Sequence, residues 1–252
     1  MYRFFISSSQ VSGSQVTVEG ADAHHMRDVL RMQPGEAVEA ADETGQVYRC
    51  HVAELTPDEV LLNVETISVS ENELPVDITL YMGLPKFEKM ELIIQKAVEL
   101  GVVRIVPVAM KRSVVKLDEK KAKAKVTRWQ AIAEAAAKQS KRGRIPEVGQ
   151  VVSMKAALAE AEAAGRILFP YECADGIAKT REVLASLTPG EKIGVFIGPE
   201  GGFGLDEVEA AKNAGAEIIT LGRRILRTET AAITTLSLLM FAAEEGGPGH
   251  QP

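Results

Sequence analysis

After residue 75, short apolar segments alternate with helical patterns five times, and this repeated order restricts the fold more than any other feature of the chain. The apolar segments, each long enough for one strand, are 78–82, 103–108, 166–169, 193–197 and 217–221. The helical patterns are 87–100, 119–141, 177–187, 206–214 and 229–244. Parallel strands need a crossover connection, which a helix supplies. The order therefore predicts an α/β domain whose mostly parallel sheet carries helices on both faces.

The first 70 residues follow a different pattern. Short alternating apolar segments at 2–6, 15–18, 37–41, 46–55 and 60–67 are separated by turn signals such as Pro34-Gly35. They predict a small β-barrel or compact sheet. The segment HHMRDVLR (24–31) lies between strands and predicts a short helix, with Met26, Val29 and Leu30 on its apolar side and Arg27 and Arg31 on another. The polar stretch SENELP (70–75) marks a boundary, so we predict domains at 1–72 and 73–252.

The charge of the chain is unevenly distributed. Its 29 basic and 35 acidic side chains give a formal net charge of −6. For the chain as a whole, this charge argues against binding to the phosphate backbone of a nucleic acid. Residues 111–144, however, carry 12 basic and 3 acidic side chains. This basic segment is either a solvated helix face or an electrostatic footprint for an anionic polymer.

Cysteine, histidine and hydropathy exclude several classes of protein. The two cysteines, Cys50 and Cys173, have no CxxC spacing, and the four histidines show no spacing typical of metal ligands. A disulfide scaffold and a zinc site are therefore not expected. No apolar run approaches the roughly 18 residues of a membrane helix, and the first residues lack the apolar stretch of a signal peptide. We expect a cytoplasmic protein.

Three turns follow predicted strands and should lie at one edge of the sheet. They are GPEGGFG (198–204), LGRRILRTETAA (221–232) and the end of strand 166–169, which runs into Pro170 and Tyr171. Their glycines allow backbone N–H groups to approach a ligand closely. The spacing matches neither GxGxxG nor GxxxxGK[ST], which disfavours a nicotinamide enzyme and a nucleoside triphosphatase. Ligands of open α/β sheets bind outside the carboxyl ends of strands, so the loops predict a pocket suited to an apolar, purine-bearing ligand.

These segments together resemble a known family. GPEGGF and LGRRILRTETAA, with KMELIIQKAVELGVVRIVPV (89–108), RSVVK (112–116) and the N-terminal HHMRDVLR, are similar to the ribosomal small subunit methyltransferase E family. The resemblance covers nearly the whole chain. It implies methylation of N3 of a uridine in 16S rRNA with S-adenosylmethionine as the donor. It also implies a PUA-like β-barrel that binds RNA, a SPOUT-class α/β domain, a C-terminal trefoil knot and a homodimer, without a metal. The sequence departs from the family pattern at Lys138, where relatives often carry an acidic residue.

The resemblance also implies which residues hold the donor, and the strand-end argument reaches the same loops. These residues are Tyr171, Ile197, Gly198, Pro199, Gly201, Gly202, Leu221, Gly222, Ile225, Leu226, Arg227, Thr228, Thr230 and Ala231.

Methyl transfer to uridine N3 requires loss of a proton whose pKa lies well above neutral, so a base or a cationic environment must help. Glu229 is the candidate base, and Arg227 or Arg223 could stabilise charge on the uracil carbonyls. Glu229 could equally serve only to begin a helix, with the arginines in solvent and water as the final proton acceptor.

Cations are the candidate contacts to RNA phosphates. The predicted RNA-binding residues are His24, Arg27, Arg31, Arg112, Lys116 and Arg142. For Arg27 and Arg31, an ion pair with Asp22 or Asp28 inside the domain is the alternative.

Two other functions remain open at this point. One is ribose 2′-O-methylation of RNA by the same fold class, and the other is a non-catalytic assembly factor that binds rRNA. In the last helix Ile233, Leu236 and Met240 form an apolar stripe that either pairs two subunits or is buried within one.

Overall fold

The computed structural model describes residues 1–86, 88–172 and 176–245. The chain divides into two compact units, the first made of residues 1–73 and 137–145, the second of residues 74–136 and the chain from 146 onward. Predictions that concern Phe87, Cys173, His250 and the tail GGPGHQP lie outside the described residues. None of the described helices is long and apolar enough to span a bilayer.

The first unit is built on a six-stranded sheet in the order β1-β4-β5-β6-β3-β2. Its strands are β1 (Arg3–Phe5), β2 (Val11–Ser12), β3 (Gln15–Glu19), β4 (Ala37–Ala41), β5 (Gln46–Leu55) and β6 (Glu59–Val69). Neighbours are antiparallel except β1 and β4, which are parallel. Alternate side chains of the sheet, among them Val16, Val18, Val38 and Leu62, are buried in one apolar cluster.

The segment between β3 and β4 differs from the predicted helix. Helix α1 (Gly20–His24) continues into a single π-helical turn (His25–Val29). Met26 is buried as predicted, whereas Val29 is 60% exposed. Arg31 has a φ of +52°, and Met32 N–H donates to the Met26 carbonyl, which closes the turn. Arg31 therefore lies beyond the helix, and it does not share a helical face with Arg27.

Residues 137–145, predicted to belong to the second domain, pack in the first unit. Arg3 donates to the carbonyl oxygens of Lys141 and Arg142 at 2.5 and 3.1 Å. The reason is electrostatic, because Asp22 and Glu73 supply carboxylates to the cations of this segment.

The second unit is built on a parallel sheet in the order β10-β8-β7-β12-β11-β13, with β9 also paired to β8. Its strands are β7 (Asp77–Gly83), β8 (Arg104–Ala109), β9 (Glu147–Val148), β10 (Val152–Ser153), β11 (Arg166–Pro170), β12 (Lys192–Ile197) and β13 (Glu217–Ile219). Its helices are α2 (Lys89–Glu99), α3 (Glu119–Gln139), α4 (Met154–Ala164), α5 (Ile177–Ala185), α6 (Leu205–Asn213) and α7 (Thr228–Glu245); the last turn of α3 belongs to the first unit. The five predicted strands and the parallel sheet are confirmed.

Helix α4 was not predicted. Its sequence is mostly alanine and glutamate, so the apolar period is weak. Its boundaries do carry local signals, since the Ser153 hydroxyl accepts a hydrogen bond from Ala156 N–H at 3.3 Å and Gly165 follows its last residue. Helix α4 packs on β8, β11 and β12 and so covers one face of the sheet.

Candidate functional site

A cavity of about 440 Å³ lies at the carboxyl ends of three adjacent strands of the second unit. Pro170 ends β11 and residues 171–172 follow it, residues 198–203 follow β12, and residues 220–227 follow β13 and lead into α7, which begins at Thr228. Because parallel strands end at the same edge, loops distant in sequence form one wall. The volume is in the range of about 300–1,000 Å³ typical of small-molecule sites.

Twelve of the fourteen predicted donor-binding residues line this cavity. They are Tyr171, Ile197, Gly198, Pro199, Gly202, Leu221, Gly222, Ile225, Leu226, Arg227, Thr228 and Ala231. The wall also contains residues that were not predicted to bind the donor, namely Lys89, Pro170, Glu172, Glu200, Phe203, Thr220 and Arg224.

Gly201 and Thr230 lie outside the cavity wall, unlike their neighbours. On α7, Thr228 and Ala231 are one turn apart and face the cavity, whereas Thr230 is exposed on another side of the helix. Gly201 is directed at Arg112, since a Cβ atom placed on it would lie 3.0 Å from the Arg112 Cβ. The structure thus separates these two residues from the other twelve.

The glycine-rich loop after β12 is a tight turn that side chains would disrupt. Gly202 has a φ of +65° and donates to the Pro199 carbonyl at 2.8 Å. A Cβ atom on Gly198 would lie only 3.2 Å from the Gly202 carbonyl carbon. The absence of side chains leaves backbone groups at the cavity surface.

Threonine hydroxyls hold the loop between β13 and α7 in place. Thr228 donates to the Gly198 carbonyl oxygen at 2.5 Å, which joins the start of α7 to the glycine-rich loop. Thr180, buried on α5, donates to the Thr220 carbonyl at 2.8 Å and accepts from Thr220 N–H at 3.2 Å.

Lys89 connects two carboxylates at the cavity. Its Nζ lies 3.1 Å from Glu229 Oε2 and 3.4 Å from Glu200 Oε1. The contact with Glu229 raises the pKa of Lys89 above its ordinary value. Lys89 is the first residue of α2, where a cation opposes the helix dipole. That unfavourable position was the sequence signal that could have identified it.

Glu229 lies in the first turn of α7 and is ionised at neutral pH. Burial acts to raise the pKa of its carboxyl, but its own backbone N–H and Lys89 outweigh burial and hold the pKa below the ordinary value. Its Oε2 atom is buried, and no donor among the described residues meets it in hydrogen-bond geometry. Its charge partner is the Lys89 ammonium, 3.1 Å away, so Glu229 is held in an ion pair with Lys89.

The arginines after β13 differ in position. Arg227 and Arg224 line the cavity, whereas Arg223 is exposed and does not line it. Of the two arginines predicted to stabilise charge on the uracil, only Arg227 is placed to act in the cavity.

The predicted RNA-binding residues of the first unit differ in how strongly they are held. Arg27 donates to Asp28 at 2.6 Å and to the Thr56 carbonyl at 3.0 Å, so the intradomain alternative holds for it. His24 contacts the same Asp28 carboxylate. Arg31 is exposed, and its guanidinium has no partner among the described residues.

The prediction that Arg142 contacts RNA is wrong. Its side chain is only 2% exposed and donates to the Glu73 carboxylate from Nε at 2.8 Å and from a terminal nitrogen at 2.6 Å. A guanidinium this deeply buried cannot reach a phosphate, so Arg142 stabilises the first unit instead.

The second unit supplies two exposed candidates. Lys116 is exposed and forms no ion pair with the described residues. Arg112 is also exposed and donates to the Gly201 carbonyl at 2.9 Å, which places a cation beside the glycine-rich loop. No group of three or more potential metal ligands occurs in the part of the chain that the structure describes.

Comparison with known proteins identifies the family. Residues 72–240 match the family model of an RNA methyltransferase domain, and residues 18–65 match an RNA methyltransferase PUA domain. The chain is 35% identical over 97% of its length to ribosomal RNA small subunit methyltransferase E of Bacillus subtilis, of which it covers 98%. It is 32% identical over 92% of its length to the enzyme of that name from Mycobacterium bovis, covering 88% of it.

A solved structure agrees with these matches. Ribosomal RNA small subunit methyltransferase E of Neisseria gonorrhoeae, crystallised with S-adenosylmethionine, superimposes with a TM-score of 0.81. The identity is 29%, with 96% of this chain and 97% of that chain covered. Both sequence and fold agree over nearly the whole length, and the chain therefore belongs to the ribosomal RNA small subunit methyltransferase E family, with an N-terminal PUA domain and an RNA methyltransferase domain.

Proposed function

We propose that this protein transfers a methyl group from S-adenosylmethionine to N3 of one uridine in the 16S rRNA of the small ribosomal subunit. The observation that carries the proposal is the cavity at the ends of β11, β12 and β13, which gathers twelve predicted donor-binding residues in a chain that aligns end to end with rRNA methyltransferases.

The residues of the cavity fit the donor. Ile197, Leu221, Ile225 and Leu226 give an apolar surface for a purine, and the glycine-rich loop presents backbone donors and acceptors. Glu200 in the cavity wall supplies negative charge near a ligand that carries a sulfonium and an ammonium group, and Lys89 links it to Glu229. When bound, the donor supplies an electrophilic methyl group. Gly201 and Thr230 would support the donor loops from outside the wall.

The chain must also favour loss of the uridine N3 proton. A cation near the uracil carbonyls stabilises the anion that forms, and Arg227 is the cavity residue best placed for this role. Glu229 has a lowered pKa and is a weak base, so its main effect is to hold Lys89 at the cavity. Proton acceptance by Glu229 is the further role that substitution tests.

RNA recognition uses the exposed cations of both units. The first unit, residues 1–73 and 137–145, is the RNA-binding domain, and the second unit is the donor-binding domain of SPOUT type. Arg31 of the first and Arg112 and Lys116 of the second contact phosphates around the uridine, whereas Asp28 holds Arg27 and His24. The uridine must leave its stack or pair to expose N3.

The protein acts as a cytoplasmic homodimer with a C-terminal trefoil knot. The knot is supported by the path of the chain, since β13 lies at one edge of the sheet while α7 returns to pack on α2 and forms a hydrogen bond to the loop after β12.

The dimer is supported by Leu238 and Phe241 of α7, which are 37% and 59% exposed. Sedimentation velocity of Phe241→Glu tests this face, and a protein that stays dimeric contradicts it.

The decisive experiment uses small subunits from a strain that lacks the methylation. The subunits are incubated with the protein and labelled S-adenosylmethionine, and the rRNA is digested to nucleosides. Labelled 3-methyluridine is the expected product. A 2′-O-methylated nucleoside, or no labelled product, overturns the proposal.

A further inference from the structure

We infer that Glu207 is a positioning residue that holds the turn carrying Arg112 against the glycine-rich loop of the cavity. The inference deepens the proposed function, on which it rests, because it links an RNA-contact residue to a wall of the donor site.

Glu207 connects two loops that are far apart in sequence. It is 7% exposed, in the first turn of α6. One carboxylate oxygen accepts from Gly204 N–H at 2.7 Å, and the other accepts from Lys111 N–H at 2.8 Å. Gly204 ends the glycine-rich loop, and Lys111 belongs to the turn 110–113 after β8. One buried carboxylate thus satisfies one backbone donor from each loop.

The two loops follow strands that are not neighbours, because β7 lies between β8 and β12. They meet above Gly83, the last residue of β7. A Cβ atom on Gly83 would lie 2.6 Å from Pro199 Cδ and 2.8 Å from Met110 Sδ. The glycine permits this approach, and Glu207 holds it.

The consequence is that Arg112 and the cavity wall form one rigid arrangement. Arg112 donates to the Gly201 carbonyl, and its Cβ would nearly touch a side chain at that position. A change at Glu207, which lines no part of the cavity, should therefore alter donor binding through the turn that bears Arg112.

Glu207→Gln is the sharpest variant because it preserves size while replacing one acceptor oxygen with an NH₂ group. That group faces a backbone N–H, so one of the two hydrogen bonds is lost. We expect S-adenosylmethionine to bind about tenfold more weakly in titration calorimetry. Asp206→Asn is the matched control, since the ion pair of Asp206 with the Lys111 ammonium at 3.0 Å is exposed and contributes little, and this variant should bind the donor as wild type does.

Two further measurements separate positioning from general damage. In the ligand-free protein, Glu207→Gln should lose amide hydrogen-exchange protection at Lys111 and Gly204 while the amides of β7 keep theirs. Arg112→Ala should weaken donor binding in the wild-type background but add little in the Glu207→Gln background. Loss of protection throughout β7, or additive effects of the two substitutions, would show that Glu207 is only structural.

Failure of the inference and failure of the proposed function are distinguishable. If the wild type binds S-adenosylmethionine and Glu207→Gln binds it equally well, the inference is overturned and the function stands. If the wild type does not bind it, the proposed function is overturned, and the ligand-free exchange measurement still decides whether Glu207 joins the loops.

Discussion

The two ends of the basic segment 111–144 place their cations in different environments. At the first end, in the second unit, Arg112, Lys116, Lys120, Lys123 and Lys125 are exposed. At the other end, in the first unit, Lys138 contacts Asp22 at 2.8 Å, and Arg142 and Arg144 contact Glu73 at 2.6 and 3.0 Å.

The difference follows from the position of the carboxylates. Asp22 and Glu73 are distant in sequence from the segment but belong to the same unit as its second end. A guanidinium is tolerated in a buried place only when its charge is paired, as that of Arg142 is by Glu73, so loss of either partner destabilises the first unit. The five exposed cations named at the first end keep their hydration and are available to an anionic partner. Only half of the segment can therefore act as an electrostatic footprint.

The largest effect is expected where a buried pair is broken. Glu73→Gln leaves Arg142 buried beside a neutral amide and should lower the free energy of unfolding by about 3 kcal/mol or more, measured by urea denaturation. Lys123→Gln, at the exposed end, should change it by less than about 0.5 kcal/mol. Similar losses in both variants would abolish the distinction between the two ends.

The same pair should make stability depend on pH. Burial acts to raise the pKa of Glu73, but Arg142, Arg144 and Gly143 N–H together hold it below the ordinary value. The stabilisation is thus present above the unfolded pKa and is lost as the pH falls through the lower folded pKa. The difference in unfolding free energy between wild type and Glu73→Gln should shrink between about pH 7 and about pH 3. A constant difference would contradict the assignment.

A third class of cation faces the cavity, and its substitution should affect turnover. Arg227→Ala should reduce kcat on the order of 100-fold while the Kd for the donor changes little, because Arg227 acts on charge that develops in the uracil. Arg223→Ala removes a neighbouring cation outside the cavity wall and serves as the control. Equal losses of kcat and donor affinity in Arg227→Ala would assign it to donor binding.

Glu229→Gln distinguishes two roles of Glu229, which are to hold Lys89 and to accept the uridine proton. If Glu229 only holds Lys89, kcat should fall severalfold with an unchanged pH profile. If Glu229 accepts the proton, kcat should fall steeply and the acidic limb of the profile should disappear. Full activity at neutral pH would remove both roles.

The smallest effect is expected at single exposed lysines. Lys116→Ala should weaken RNA binding severalfold and reduce the slope of log Kd against log salt by about 1, as for loss of one phosphate contact. Lys138→Gln, at the paired end, should leave the slope unchanged. A reduced slope for Lys138→Gln would place RNA at that end as well.

Much of the fold was predictable because secondary structure depends on local patterns. The apolar segments at 78–82 and 193–197 became central strands β7 and β12, and the glycine-rich turn after β12 became a wall of the cavity. Helix α4 was not predicted, because a segment of mostly alanine and glutamate shows only a weak helical spacing of apolar residues. The turn at Arg31 was missed because a left-handed residue other than glycine has no clear sequence signal.

The sequence by itself determined that five strands alternate with helices in the second unit, and with it the edge of the sheet at which a ligand binds. Only the tertiary structure decided which charged side chains are free. Arg142 and Glu73 are 69 positions apart, and Lys111 and Glu207 are 96 apart. The spacing of apolar residues and the local composition depend only on residues that are near one another in the sequence. An ion pair or a buried hydrogen bond depends on which distant segments pack together. The same arginine can therefore be predicted as an RNA contact and be found as part of a core.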